Sequence, residues 1–179
     1  MLKEVIHNNN NEFLSKKLQS GIIIWALSDG YYHPTYQYRT SAWIIKIQNK
    51  YHAIIEADIV PGDAKYQCSR RSELCGLIGD IRHINNIFIT YKFLEGSSEL
   101  RCDGLEAYKL VTRHAYSPYT KLSHYDLSST LHQLIKSIPL YWKFRHLKGH
   151  QDYGDTYNKI DEWRQINIEA DRLAKYCMW

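Results

Sequence analysis

The chain has 179 residues, 44% hydrophobic and 23% charged, which suits one soluble domain that needs neither metal nor disulfide staples to form a core. Its net charge of +4 permits a polyanionic partner without requiring one. No apolar run is long enough to span a membrane, and the start, MLKEVIHNNNNEFLSKK, lacks the apolar region of a signal peptide, so an intracellular protein is expected.

Residues 1–20 are polar, with an Asn run at 8–11, and read as an arm or linker remnant ahead of a domain over 21–179. GIIIWAL (21–27) is apolar on both alternating faces, as in a central strand covered on each side. SAWIIKIQ (41–48) and YHAIIEADI (51–59) flank Asn49-Lys50 and read as a hairpin. From Ser69 the period changes: Leu74, Leu77, Ile78, Ile81, Ile84 and Phe88 recur at helical spacing, with Ser69 or Ser72 as cap and an end near Leu94. A short strand over 97–103 and a helix over 104–113 follow, then a loop over 114–125. A helix over 126–138, capped by Asp126, precedes a strand at 140–147. The last helix carries a stripe of Trp163, Ile166, Ala170, Leu173, Ala174 and Cys177. Three strands in a meander followed by alternating helices and strands imply an α/β fold with a mixed sheet, antiparallel at one side and crossover-connected at the other.

Two further features bear on chemistry. Cys68, Cys75, Cys102 and Cys177 are scattered, so reduced, mostly buried thiols are expected and a zinc site is not. Many of the 15 tyrosines fall in YYHPTYQYR (31–39) and YSPYTKLSHY (116–125), which read as loops whose rings are half-buried packing; the functional alternative is stacking on bases.

Four carboxylates stand out. Asp29 ends the first strand (IIIWALSDG), Asp103 ends the fourth (ELRCDG), Glu73 opens the long helix (SRRSELCGL), and Asp171 lies on the final one (NIEADRLA). Singly, each has a structural explanation, because Asp-Gly shapes turns and an acidic first turn suits the helix dipole. Together they converge on one end of the sheet. Crowded carboxylates resist ionisation, and hard divalent cations such as Mg²⁺ or Mn²⁺ relieve that conflict. Two such ions can serve phosphodiester cleavage.

The ordered set SDG, RSELCGL, RCDG, LKGHQD and NIEADRLA resembles type 1 ribonuclease H, particularly the ribonuclease H domains of retroelement polyproteins, over roughly residues 21–177. The resemblance implies a five-stranded mixed sheet in the order 3-2-1-4-5 flanked by helices. It implies hydrolysis of the RNA strand of an RNA–DNA hybrid, with two Mg²⁺ or Mn²⁺ ions held by Asp29, Glu73, Asp103 and Asp171. His150 matches the family's loop histidine, associated with release of product or metal, and Asn167 the asparagine of its last motif. Arg39, Thr40, Arg70 and Arg71 are candidates for substrate contact. A monomer is expected, with a polymerase domain as partner only in related polyproteins. Where the family usually has a Gly- and Ser-rich loop, this chain has YYHPTYQYRTSAW (31–43), and it lacks a strongly basic handle over 114–139. Two alternatives stand beside this reading: a non-catalytic nucleic-acid or protein-binding module of the same fold, and a DNA-cutting relative of the resolvase or transposase kind.

Overall fold

A computed structural model of the chain describes residues 11–14, 16–17, 23–33, 35–48, 53–63, 68–112, 124–149 and 159–177. Three strands come first: β1 (Ile24–His33), β2 (Tyr38–Ile47) and β3 (Ala53–Ile59). They are followed by α1 (Ser69–Thr90), β4 (Ser97–Cys102), α2 (Leu105–Thr112), α3 (Tyr125–Lys136), β5 (Tyr141–His146) and α4 (Glu162–Tyr176). The five strands form one sheet in the order β3-β2-β1-β4-β5. The β1–β2 and β2–β3 pairs are antiparallel, while β1–β4 and β4–β5 are parallel. This is the mixed sheet expected from the order of elements.

The period of two in β1 sends its residues to two separate cores. Ile24 and Ala26 join Leu74, Leu77, Ile81 and Ile84 of α1, with Leu131 of α3. Leu27 joins Ile44, Trp163, Ile166 and Ala170 beneath α4. Truncating a buried residue such as Ile81 to alanine costs about 2–5 kcal/mol. Leu14, from the stretch read as an arm, is fully buried in the larger core. Where α1 starts, it lies almost on β1: a Cβ added at Gly30 would come within 2.5 Å of Ser72. That contact brings the first turns of α1 beside Asp29.

Several local expectations are corrected. Asp29 does not end β1, because Gly30 to His33 continue the antiparallel ladder with Ser41 to Tyr38. Residues 31–33 and 38–39 of YYHPTYQYR are therefore a hairpin extension, and in the turn between them Gln37 takes φ 53° and donates its N–H to the His33 carbonyl. Of the second tyrosine-rich stretch, 116–123 lie outside the described residues. The long helix stops at Thr90, with Lys92 in the left-handed region. Its N-cap is Cys68, without a side-chain cap bond, and Ser72 instead bonds back to the Ser69 carbonyl. Asp126 is not the cap of α3: His124 occupies that position at φ 67°, and Asp126 accepts from Arg71. All four cysteines are free, Cys102 buried and the others half-buried. Among the described residues, no helix is long and apolar enough to cross a membrane.

Candidate metal centre

The ladder between β1 and β4 ends where Ser28 pairs with Cys102. The next residue on each strand is a carboxylate, so Asp29 and Asp103 emerge side by side. Glu73 reaches the same point from just past the first turn of α1, which itself holds no acid, so the expected pairing with the helix dipole does not account for it. One carboxylate oxygen from each of Asp29, Glu73 and Asp103 lies within 4.8 Å of the other two. Asp29 is 6% exposed and Glu73 9%, while Asp103 is half-buried. The Gly30 N–H donates to Asp29 Oδ1 at 2.6 Å, whereas Glu73 Oε2 is buried without a hydrogen-bond partner. Two glycines leave room for the group. A Cβ at Gly104 would lie 2.7 Å from Glu73 Cγ, and one at Gly149 would lie 2.6 Å from Asp103 Oδ2.

Burial and mutual repulsion keep these acids from ionising. The Asp29 carboxyl is pushed up to about 8, first by burial and then by the charge of Asp103; the Gly30 N–H works against the rise, Asp171 adds to it, and Lys175 lowers it. Glu73 is raised well above the usual range, again by burial first and then by Asp29 and Asp103, with Arg39 offsetting a part. Three oxygen donors within reach of one point suit a hard divalent cation, and a bound dication would reverse the penalty on every member.

Asp171 stands at the margin of this group. It is close enough to act on Asp29 but lies outside the three-oxygen cluster, and its Oδ2 accepts from Lys175 at 2.5 Å. Lys175 was not singled out from the sequence, although its spacing of four from Asp171 on a helix is the signal for such a pair. Asn167, one turn before Asp171, buries an Oδ1 that meets no hydrogen-bond donor. Arg39 is half-buried, its guanidinium 4.5 Å from the Tyr32 ring centre and its Nε buried without a partner.

Thr40, Arg71 and Arg70 have partners within the fold. Thr40 is fully buried and donates to the Ala174 carbonyl at 2.5 Å, which ties β2 to α4. Arg71 is 8% exposed, donates through Nε to the Pro61 carbonyl, and pairs with Asp126 at 3.1 Å. Arg70 lies 3.6 Å from Glu106. His150 falls outside the described residues; its neighbour Gly149 is the glycine packed on Asp103. A groove of about 790 Å³ between α1 and β2–β3 is lined by Trp43, Glu56, Gly79 and His83, and none of the four carboxylates contributes to it.

No protein-family model matches the chain, and no curated protein matches it in sequence. Solved structures match its fold. The N-terminal RNase H domain of rv2228c from Mycobacterium tuberculosis, solved as a fusion with maltose binding protein, gives a TM-score of 0.56 at 11% identity, covering 88% of this chain and 94% of that one. RNase H1 from the halophilic archaeon Halobacterium salinarum gives 0.54 at 16% identity, covering 87% and 96%. LC11-RNase H1, solved in complex with an RNA/DNA hybrid, gives 0.59 at 13% identity, covering 86% and 94%. At these identities the likeness is one of architecture: the chain has the ribonuclease H fold.

Proposed function

We propose that the chain is a metal-dependent endoribonuclease that hydrolyses the RNA strand of RNA–DNA hybrids. The observation that carries this reading is the convergence of Asp29, Glu73 and Asp103, from three different elements, on one point at the end of the sheet, with Asp29 and Glu73 buried there. Supporting it are the five motifs in their order and the hybrid bound to LC11-RNase H1, a protein of the same fold. Retroelement derivation rests on the motif sequences and on the long segment between Gly149 and α4.

In this reading Asp29, Glu73 and Asp103 hold the metal, with Asp171 completing the set once Lys175 releases it. Bound there, two divalent ions would supply a water of lowered pKa and charge stabilisation for the leaving oxygen. The chain's own residues do the remaining work. Arg39, with its unpartnered Nε, offers a donor to a phosphate beside Glu73. Asn167 offers its amide next to Asp171. His150 is suited to exchange protons near neutral pH as product leaves. The products would be a 3′-hydroxyl and a 5′-phosphate.

A second reading, a non-catalytic module, draws on two observations. The fourth carboxylate is engaged by Lys175, and the β1–β2 extension carries exposed Tyr32 and Tyr36 where relatives have a Gly- and Ser-rich loop. Incubation with a labelled hybrid in Mg²⁺ or Mn²⁺, beside duplex DNA, duplex RNA and Asp103→Asn, separates the two. Cutting of only the hybrid's RNA strand, absent in the variant, is the expected result. Binding without cutting in either metal would select the module.

A further inference from the structure

We propose that the β4–β5 face of the sheet carries a phosphate-binding strip, made of Arg101, Lys143 and Arg145 around Glu99, along which the duplex cut at the carboxylate cluster lies. This rests on the nuclease reading of that cluster.

Strand alternation puts Glu99, Arg101 and Asp103 on one face of β4. The parallel register sets Lys143 beside Glu99 and Arg145 beside Arg101. α4 packs chiefly on β1, β2 and β3, and its Trp163 marks the border, with the Arg101 guanidinium 4.0 Å from its ring centre. Beyond that border, Glu99 is one acid among the three bases Arg101, Lys143 and Arg145 of the described residues in β4 and β5. Glu99 is 5% exposed and receives Arg101 at 2.5 Å, Lys143 at 2.8 Å and Arg145 at 3.4 Å.

One carboxylate needs one countercharge, so the strip keeps a surplus of two. Its outer members stay open to solvent: the Lys143 side chain is 39% exposed and that of Arg145 53%. Glu99 acts as the post that holds the bases in a row. At ~3.3 Å of rise per residue, the Arg101–Arg145 row lies about 7 Å from Asp103 and the Glu99–Lys143 row about 13 Å. A duplex carries one negative charge per ~1.7 Å of axis, so a strip of this length spans several phosphates. The guanidinium fork of Arg145 suits phosphate oxygens, and contacts of this kind carry no base preference. The surface therefore fits a nucleic-acid backbone leading into the metal centre.

The test measures hybrid binding by fluorescence anisotropy in the Asp103→Asn background, across a salt series, with and without Lys143→Ala plus Arg145→Ala. Two lost phosphate contacts should reduce the slope of log K against log salt by about 1.8 and weaken binding tenfold or more at 0.1 M salt, both order-of-magnitude expectations. In the cleaving protein the same pair should raise KM and leave kcat unchanged. Arg145→Gln alone, at the most exposed base and the one farthest from Glu99, gives about half the change in slope if the double variant fails to fold. An unchanged slope and affinity in folded variants would overturn the strip, as would lost binding to an acidic polypeptide with hybrid binding intact. If the parent cuts hybrids and the variants bind like it, only the strip fails. If the parent neither binds nor cuts, both readings fall.

Discussion

Two places on the same sheet bury carboxylates, and the protein treats them in opposite ways. Around Glu99, burial works to raise the pKa, but hydrogen bonds and charge from Lys143 and Arg101 outweigh it and hold the group below its usual value. Around Asp29 and Glu73, burial and repulsion act together, and the acids are raised. Some 13 Å of strand, counted at ~3.3 Å per residue, separates the two environments. The chain sets bases directly against the buried Glu99, whereas at Asp29 and Glu73 the lowering charges of Lys175 and Arg39 do not offset burial and repulsion. Acids that are crowded together, and that burial and repulsion keep from ionising, are arranged for a ligand that brings its own positive charge.

The largest effect expected from this contrast is on chemistry. Asp29→Asn or Glu73→Gln should lower hybrid cleavage by ~10³-fold or more, since metal-assisted charge stabilisation is the main catalytic term at such a site. Neither variant should unfold the protein, because each puts a neutral amide where the metal-free fold already favours a neutral acid; circular dichroism checks this. Retained cleavage in a folded variant would undo the assignment of the cluster.

Next in size is linkage between metal and stability. Mg²⁺ or Mn²⁺ at 100 times Kd should stabilise the fold by about 2.7 kcal/mol. The pH dependence has a definite sign. Asp29 is held near 8 in the folded chain against an ordinary 3.8, so the metal-free native state keeps a proton that the unfolded chain has lost. Metal-free stability contributed by this group therefore falls as pH rises from about 4 towards 8. The Tm gain on adding metal should grow over the same window and shrink in Asp29→Asn. A gain independent of both pH and Asp29 would mean that the ion binds elsewhere.

Asp80 shows what burial does to an acid outside the cluster. It is fully buried on α1, and neither oxygen completes a hydrogen bond. Burial raises its carboxyl well above the usual range; the nearby Ser28 hydroxyl works against the rise, and Glu56 adds to it. A raised acid is stabilised in its neutral form, so its contribution declines as pH climbs above about 4, by at most ~1.4 kcal/mol per pH unit. Asp80→Asn, neutral at every pH, should flatten this decline and leave the metal-induced Tm gain intact. If melting curves at pH 5 and pH 8 shift equally in the variant and the parent, Asp80 ionises freely.

Much of this was legible in the chain. The mixed sheet follows from three strands and then alternation, its strand order was implied by the resemblance of the motifs, and the convergence of Asp29, Glu73 and Asp103 follows from acids at the ends of buried segments. What escaped has identifiable physical causes. Tyr31 to His33 lie next to Pro34 and look like loop, yet Tyr38 to Ser41 provide a partner strand, and long-range pairing of that kind overrides local composition. The Arg71–Asp126 pair joins residues 55 apart, so Asp126 looked like a helix cap when its partner was on another helix. Glu99, Arg101, Lys143 and Arg145 alternate within two short strands, but only their parallel register shows that they share a face. Lys175 was readable from helical spacing alone.

The smallest effect tests the contrast from its other side. Glu99→Gln leaves Arg101, Lys143 and Arg145 crowded without their countercharge, so it should destabilise where Asp29→Asn does not. Two of the three bases are substantially exposed and screened by solvent, so the loss should be about 1–2 kcal/mol, well below that of a fully buried pair. Glu99 has a lowered pKa, so its contribution is present above about 4.5 and disappears as pH falls through its folded value. Parent and variant melting temperatures should therefore differ at pH 7 and converge in acid. Hybrid binding should persist or tighten in Glu99→Gln, because the strip's surplus rises from two positive charges to three. A variant that is stable at pH 7 would show that the three bases are not held by Glu99, and the two carboxylate environments would then differ only in what surrounds them, not in what they do for the fold.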